Sequence, residues 1–85
     1  MHKSKSIHNS RYNGLIKELI EERKRLKLSQ IEVAALIQMT QSDISKIENS
    51  ERRLDILELR DLLEIYSFDE NIEFKKKIKD FFGLD

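Results

Sequence analysis

The stretch SQIEVAALIQMTQSDISKIEN, residues 29–49, decides how this chain folds. Ser29 and Glu32 stand at the spacing of a capping box, in which the serine hydroxyl accepts from an early backbone N–H and the glutamate reaches back. Val33, Ala34 and Ile37 follow at helical spacing, so a short helix begins there. Thr40 and Asp43 repeat the signal: a threonine cap, an acid near the positive end of a helix, then apolar Ile44 and Ile47. A second helix is expected over residues 41–49. Only Gln38, Met39 and Thr40 separate the two, and so short a connection makes them cross as neighbours.

Upstream, Leu15, Ile16, Leu19, Ile20 and Leu26 recur at three and four from Tyr12 onward, one face of a helix running to about Leu26. Downstream, Ile56, Leu59, Leu62, Leu63 and Tyr66 form another inward stripe, with Asp55 as its cap and Phe68 packing beyond it. Phe74, Ile78, Phe81 and Phe82 form a last one, closed by Gly83. The pattern predicts an all-α, compact five-helix domain. At 85 residues, with 39% hydrophobic and 38% charged residues and no proline, the chain suits one small helical core. Beyond Met1, residues 1–10 offer one apolar side chain, Ile7, and read as a flexible basic tail. Residues 11–69 are expected to form the domain, and residues 70–85 a C-terminal helix of that domain.

Cysteine is absent, which excludes disulfides and thiolate metal sites and fits a reducing compartment. No apolar run approaches the length of a membrane span, and the first ten residues lack the apolar segment of a signal peptide, so a cytoplasmic location is expected. Net charge is zero, but its distribution is uneven: residues 1–27 carry net +5, residues 28–53 net −1 and residues 54–85 net −4. A basic front and an acidic rear allow one face to approach a polyanion.

In the helix of residues 41–49, Ile44, Ile47 and Glu48 share one face, which leaves Gln41, Ser42, Ser45, Lys46 and Asn49 on the other. That outer face is small and polar. A DNA major groove admits one α-helix, and these side chains suit base edges: glutamine pairs bidentately with adenine, lysine with guanine, serine with several. A solvated helix face has the same composition, so the reading needs a second observation. Arg23 lies four after Leu19 and three before Leu26, inside an apolar stripe, and Glu48 lies four after Ile44. An unpaired buried charge is costly, whereas an arginine fork on a carboxylate satisfies both, so Arg23 is inferred to pair with Glu48. The alternative is that both side chains reach water separately.

With Arg23, Leu28-Ser29-Gln30, Val33-Ala34, Thr40-Gln41-Ser42, Ile44 to Asn49 and Leu59 in this order, the chain resembles the phage-repressor and Cro-like, xenobiotic-response-element type, helix-turn-helix family. The resemblance covers residue 15 to about residue 68 and implies a lambda-repressor-like fold. It implies a transcriptional regulator, expected to be a repressor, that inserts the helix of residues 41–49 into double-stranded operator DNA, as a homodimer on a palindrome. Arg23 and Glu48 would form its structural ion pair. Gln41, Ser42, Lys46 and Ser45 would face bases, while Gln30, Thr40 and Asn49 would face phosphates; Arg52 and Arg53 are further phosphate candidates. Lys27, Gln38 and Ser50 depart from the family, standing where glycine is common at helix ends. Either these turns differ or each carries left-handed strain.

A dimer contact outside the two crossing helices is expected, and Phe74, Ile78, Phe81 and Phe82 give more aromatic surface than a short last helix needs for docking; core packing is the competing reading. No enzyme or cofactor is expected: His2 and His8 lack ligand partners at a suitable spacing, and no glycine-rich phosphate loop exists. The alternative class is a protein-interaction module, such as an antitoxin-like partner. It draws on Ile31, Ala35, Leu36, Leu57 and Ile65, apolar residues at positions that face outward.

Overall fold

The structure, a computed structural model, describes residues 9–84. Most of the expected basic tail, including His2 and His8, lies outside the described residues. Five α-helices follow one another: α1 (Ser10–Arg25), α2 (Gln30–Ile37), α3 (Gln41–Glu48), α4 (Ile56–Ile65) and α5 (Ile72–Phe82), with a 3₁₀ turn at Phe68–Glu70. No strand occurs among the described residues.

Each helix starts on a side-chain cap. Asn9, three residues before Tyr12 where the stripe of α1 begins, accepts from the Tyr12 N–H at 2.9 Å. Ser29, Thr40 and Asp55 each close a full capping box, with Glu32, Asp43 and Glu58 respectively. Asn71 accepts from the N–H groups of Glu73 and Phe74. Replacing such a cap by alanine typically costs about 1 kcal/mol.

α2 and α3 have eight residues each, too few to hold a helix alone in water, so packing must hold them. Val33 and Ala34 of α2 and Ile44 and Ile47 of α3 bury against Leu15, Ile16 and Leu19 of α1 and Leu59 and Leu62 of α4, in one cluster. Tyr66 closes this cluster at the end of α4, and Phe74 and Ile78 of α5 join it beside α1.

Three expectations change here. Phe74 and Ile78, expected at a dimer contact, are buried within the single chain, because α5 uses them to dock on α1. Phe81 is half-buried, and only Phe82 of that set stays exposed. Ile65, expected to be stranded on the surface, packs against the core. Ile56, expected inside, is 71% exposed: it is the first residue of α4, where the helix has already passed the edge of the core.

A second charge is buried in α1. Glu22, 4% exposed, accepts two hydrogen bonds from Arg25 (2.7 and 3.0 Å) and one to each oxygen from Asn71 Nδ2 (3.1 and 3.3 Å). The Arg25 fork holds its carboxyl below the usual range despite burial. Because Asn71 also caps α5, Glu22 fixes the start of that helix on α1.

Every helix is followed by a left-handed residue: Lys27 (φ 61°), Gln38 (61°), Ser50 (59°), Ser67 (52°) and Gly83 (71°). After α1, α2, α3 and α5 the next N–H turns back to a carbonyl five residues earlier, as in Leu28 to Arg23 (3.1 Å) and Met39 to Ala34 (2.9 Å). Glycine occupies only the last of these positions. The turns at Lys27, Gln38 and Ser50 therefore keep the left-handed geometry and accept the strain, about 1–2 kcal/mol each before compensation. Lys27→Gly and Gln38→Gly should each stabilise the protein by about 0.5–1 kcal/mol in thermal or urea unfolding, the rest returning to unfolded-chain entropy. Ser50→Gly should gain less, because the Ser50 hydroxyl donates to Asn13 Oδ1 at 2.8 Å. Unchanged or lowered midpoints at Lys27 and Gln38 would show that these ends are unstrained.

Candidate nucleic-acid interface

Glu48, the last residue of α3, is where three helices meet. Its carboxylate accepts from Arg23 Nε at 2.7 Å and Arg23 Nη2 at 2.9 Å, a bidentate fork from α1. Arg23 Nη1 donates to the Leu28 carbonyl at 2.8 Å, which fixes the α1–α2 connection as well. The two side chains are only 10% and 11% exposed. Hydrogen bonding to Glu48 holds the guanidinium above its ordinary pKa, outweighing the opposing effect of burial. Tyr66 lies close enough to feel both charges, and its burial pushes the phenol above its ordinary range.

The third donor to Glu48 is Gln30 Nε2 of α2, at 2.8 Å. A carboxylate already holding an arginine fork has only acceptors to offer, so Gln30 must turn its NH₂ inward. Its Oε1 is thereby left to accept from Gln41 Nε2, at 2.7 Å. The chain Arg23–Glu48–Gln30–Gln41 thus runs from a buried ion pair to the first residue of α3. Its polarity leaves Gln41 with a carbonyl oxygen and one N–H outside the network.

Around Gln41, the outer face of α3 presents Ser42, Lys46 and Asn49 exposed and Ser45 half-exposed, while Ile44 and Ile47 are buried beneath. The Thr40 hydroxyl accepts from the Asp43 N–H at 3.0 Å, which leaves its own O–H proton available. No large apolar side chain stands on this face.

The two arginines after α3 have different surroundings. Arg52 forks onto Glu58 at 2.7 and 2.9 Å, binding the loop to the first turn of α4, and would have to leave that carboxylate to meet a phosphate. The guanidinium of Arg53 lies 4.9 Å above the Tyr12 ring, is exposed, and makes no hydrogen bond or ion pair among the described residues. Tyr12 is held in turn by the Leu54 N–H, which donates to its hydroxyl at 2.9 Å. Gln30, expected to face a phosphate, has its oxygen and one N–H engaged and keeps one N–H.

Two of these ionic links escape the sequence reading. Glu22 meets the same test that singles out Arg23, lying three after Leu19 and four before Leu26. Arg52–Glu58 depends on the path of a loop, for which no periodicity exists.

Among the described residues no group of His, Asp and Glu is arranged to hold a metal ion, and no helix is long and apolar enough to cross a membrane. A family model described as helix-turn-helix matches residues 19–70, more than half of the chain, from the middle of α1 to the turn before α5. No curated protein matches the chain.

The Arg52–Glu58 link gives a stability prediction. A double-mutant cycle on Arg52→Ala and Glu58→Ala should show coupling of about 0.5–1 kcal/mol, the upper part of the range for part-exposed pairs. Arg52 holds the Glu58 carboxyl below its ordinary value of 4.5. The coupling is therefore full at neutral pH and is lost as pH falls below 4.5 through the lowered folded-state pKa. A cycle closing at zero at pH 7 would make Arg52 a free cation.

Proposed function

The chain belongs to the helix-turn-helix family of the xenobiotic-response-element, Cro-like type, a family of DNA-binding domains, and from that premise we propose that it is a homodimeric transcriptional repressor reading a palindromic operator through α3. The observation that carries this reading is the hydrogen-bond chain ending at Gln41. The free carbonyl and N–H of Gln41 match the N6–H donor and N7 acceptor of adenine, the bidentate pairing of the major groove. Preorganisation by Gln30 removes part of the entropy cost of ordering that side chain on a base. Ser42, Ser45 and Lys46 are the neighbouring base contacts in this reading. Thr40, Asn49, Arg53 and the remaining N–H of Gln30 supply phosphate contacts at the rim, and Arg52 takes a lesser part because of Glu58.

A helix of eight residues covers a short half-site, too little for useful specificity, so two copies on a two-fold site are the economical arrangement. Repression is the outcome that requires no further surface, since occupancy of a promoter alone excludes other proteins. A cytoplasmic location, with an operator within reach, belongs to the same reading. Ile31 and Leu36 of α2, 69% and 60% exposed, favour a second reading as a protein-interaction module. Salt separates the two: DNA binding weakens steeply with ionic strength, an apolar contact far less.

Selection from a random duplex pool should return a palindrome with an adenine at one fixed position of each half-site. Gln41→Ala should cost about 1–3 kcal/mol per half-site on that sequence and abolish discrimination at that adenine. Gln30→Ala should relax the same position, although Gln30 reaches the base only through Gln41. Arg53→Ala should weaken all sequences alike and reduce the salt slope by about 0.9 per half-site. An unselective pool, or a Gln41→Ala loss equal on all sequences, would contradict base reading by α3.

A further inference from the structure

Two consecutive arginines follow α3, and they are held by opposite means. Arg52 forks onto Glu58, which cancels its charge and occupies an N–H on each terminal nitrogen. Arg53 is exposed, with its guanidinium carbon 4.9 Å over the Tyr12 ring, and that ring is its one partner among the described residues. The electron-rich ring face attracts a cation without neutralising it, and the N–H groups of Arg53 remain free of any hydrogen bond. An exposed arginine left to itself samples many rotamers, and ordering it on a phosphate carries that entropy cost. Held over a ring, it has met part of the cost beforehand.

The ring is itself fixed. Tyr12 is buried in the core cluster, and its hydroxyl accepts from the N–H of Leu54, the residue after Arg53, at 2.9 Å. Tyr12 therefore grips the loop twice, at the backbone beside Arg53 and at the Arg53 side chain. Its neighbour Asn13 accepts from the Ser50 hydroxyl at 2.8 Å, so the start of α1 fastens both ends of residues 50–54. The N–H groups of Glu51 and Arg52 both return to the Lys46 carbonyl, at 2.8 and 3.2 Å, which ties the same segment to α3. The guanidinium of Arg53 is thus set at a fixed place relative to the outer face of α3. The competing reading makes Tyr12 a core residue alone, on which Arg53 rests without consequence.

We propose that Tyr12 is a positioning residue for DNA binding: its ring holds the Arg53 guanidinium, charged and with its donors free, where a backbone phosphate beside α3 meets it. The inference rests on the DNA-binding reading above and adds to it a residue of α1 that acts through Arg53 and makes no contact with the nucleic acid. It also gives the reason why Arg53, and not the neutralised Arg52, is the anchor after α3.

The test makes Tyr12→Phe in the full chain and then fluorinates that phenylalanine ring progressively, which drains negative charge from its face with little change of shape. Tyr12→Phe absorbs the loss of the hydroxyl and is the reference for the series. Against it, fluorination should lower DNA affinity by roughly two- to fivefold per half-site, the scale of an exposed cation–π contact. Selected and random duplexes should lose alike, since a phosphate contact carries no sequence information. The salt slope should stay that of Tyr12→Phe, because Arg53 keeps its charge, whereas Arg53→Ala lowers the slope. In an Arg53→Ala background the series should have no effect. In the parent, the ring current of Tyr12 should move the Arg53 δ-methylene protons upfield in the NMR spectrum, free and on a duplex alike. A series that leaves affinity unchanged, a loss that persists in the Arg53→Ala background, or δ-protons that return to their usual position on the duplex would each overturn the proposal. Binding that follows the series without selecting a sequence would keep the positioning role and remove the operator reading; selective binding indifferent to the series would do the reverse.

Discussion

A bidentate hydrogen bond between a guanidinium on α1 and a carboxylate at the end of α3 governs where the outer face of α3 points. Glu48 receives Arg23 from one side and Gln30 from another, while Arg23 also holds the Leu28 carbonyl, so one pair of charges links α1, α2, α3 and the first connection. A buried pair of this kind is poor evidence of net stability, because desolvation opposes the Coulombic gain. What it supplies is geometry. Isoleucines sliding over isoleucines tolerate several helix rotations, whereas a fork on a carboxylate tolerates one. The direction of the hydrogen bonds follows as well: the carboxylate orients Gln30, and Gln30 orients Gln41.

The rest of the fold compensates for elements that are individually weak. Two eight-residue helices, five left-handed helix ends of which four lack glycine, and a buried acid in α1 all work against stability in isolation. Against them stand a side-chain cap at every helix start, a continuous apolar cluster from Tyr12 to Ile78, and the docking of α5 on α1 through Phe74, Ile78 and the Glu22–Asn71 link. α5 lies beyond the stretch that defines the family, yet it completes the core that holds α1 against α3. The strained ends at Lys27, Gln38 and Ser50 border the two crossing helices: Lys27 lies in the four-residue connection before α2, Gln38 opens the three-residue turn between α2 and α3, and Ser50 lies at the start of the connection to α4.

Legibility in the sequence follows the range of the forces involved. The helices can be read because caps and apolar spacing act within a turn or two: Ser29 with Glu32, Thr40 with Asp43 and Asp55 mark starts that the structure caps in those ways. Arg23 and Glu48 stand out because each breaks an apolar stripe, and the structure sets them 2.7 Å apart. The left-handed turns can be anticipated only through resemblance, since neither Lys27 nor Gln38 carries a glycine signal. What a stripe cannot say is where its partner surface ends. Ile56 and Phe82 look like Leu59 and Ile78 in sequence, and only the placement of α4 and α5 shows that the first two project past the core. The Gln30–Gln41 contact and the Arg52–Glu58 fork are tertiary in the same sense, set by the crossing angle of α2 and α3 and by the path of residues 50–55.

The account stands on Arg23 and Glu48, and a double-mutant cycle with methionine at both positions tests it most directly. Removing Glu48 alone strands a guanidinium beside Leu28 and Tyr66, and removing Arg23 alone strands a carboxylate. Each single substitution is therefore predicted to lower unfolding free energy by about 3–5 kcal/mol, a large share of what a domain of this size possesses. The double substitution leaves no charge buried and should cost far less than the two losses combined. Additive losses, or a Glu48→Met protein as stable as the parent, would mean that the pair does not hold α1 to α3.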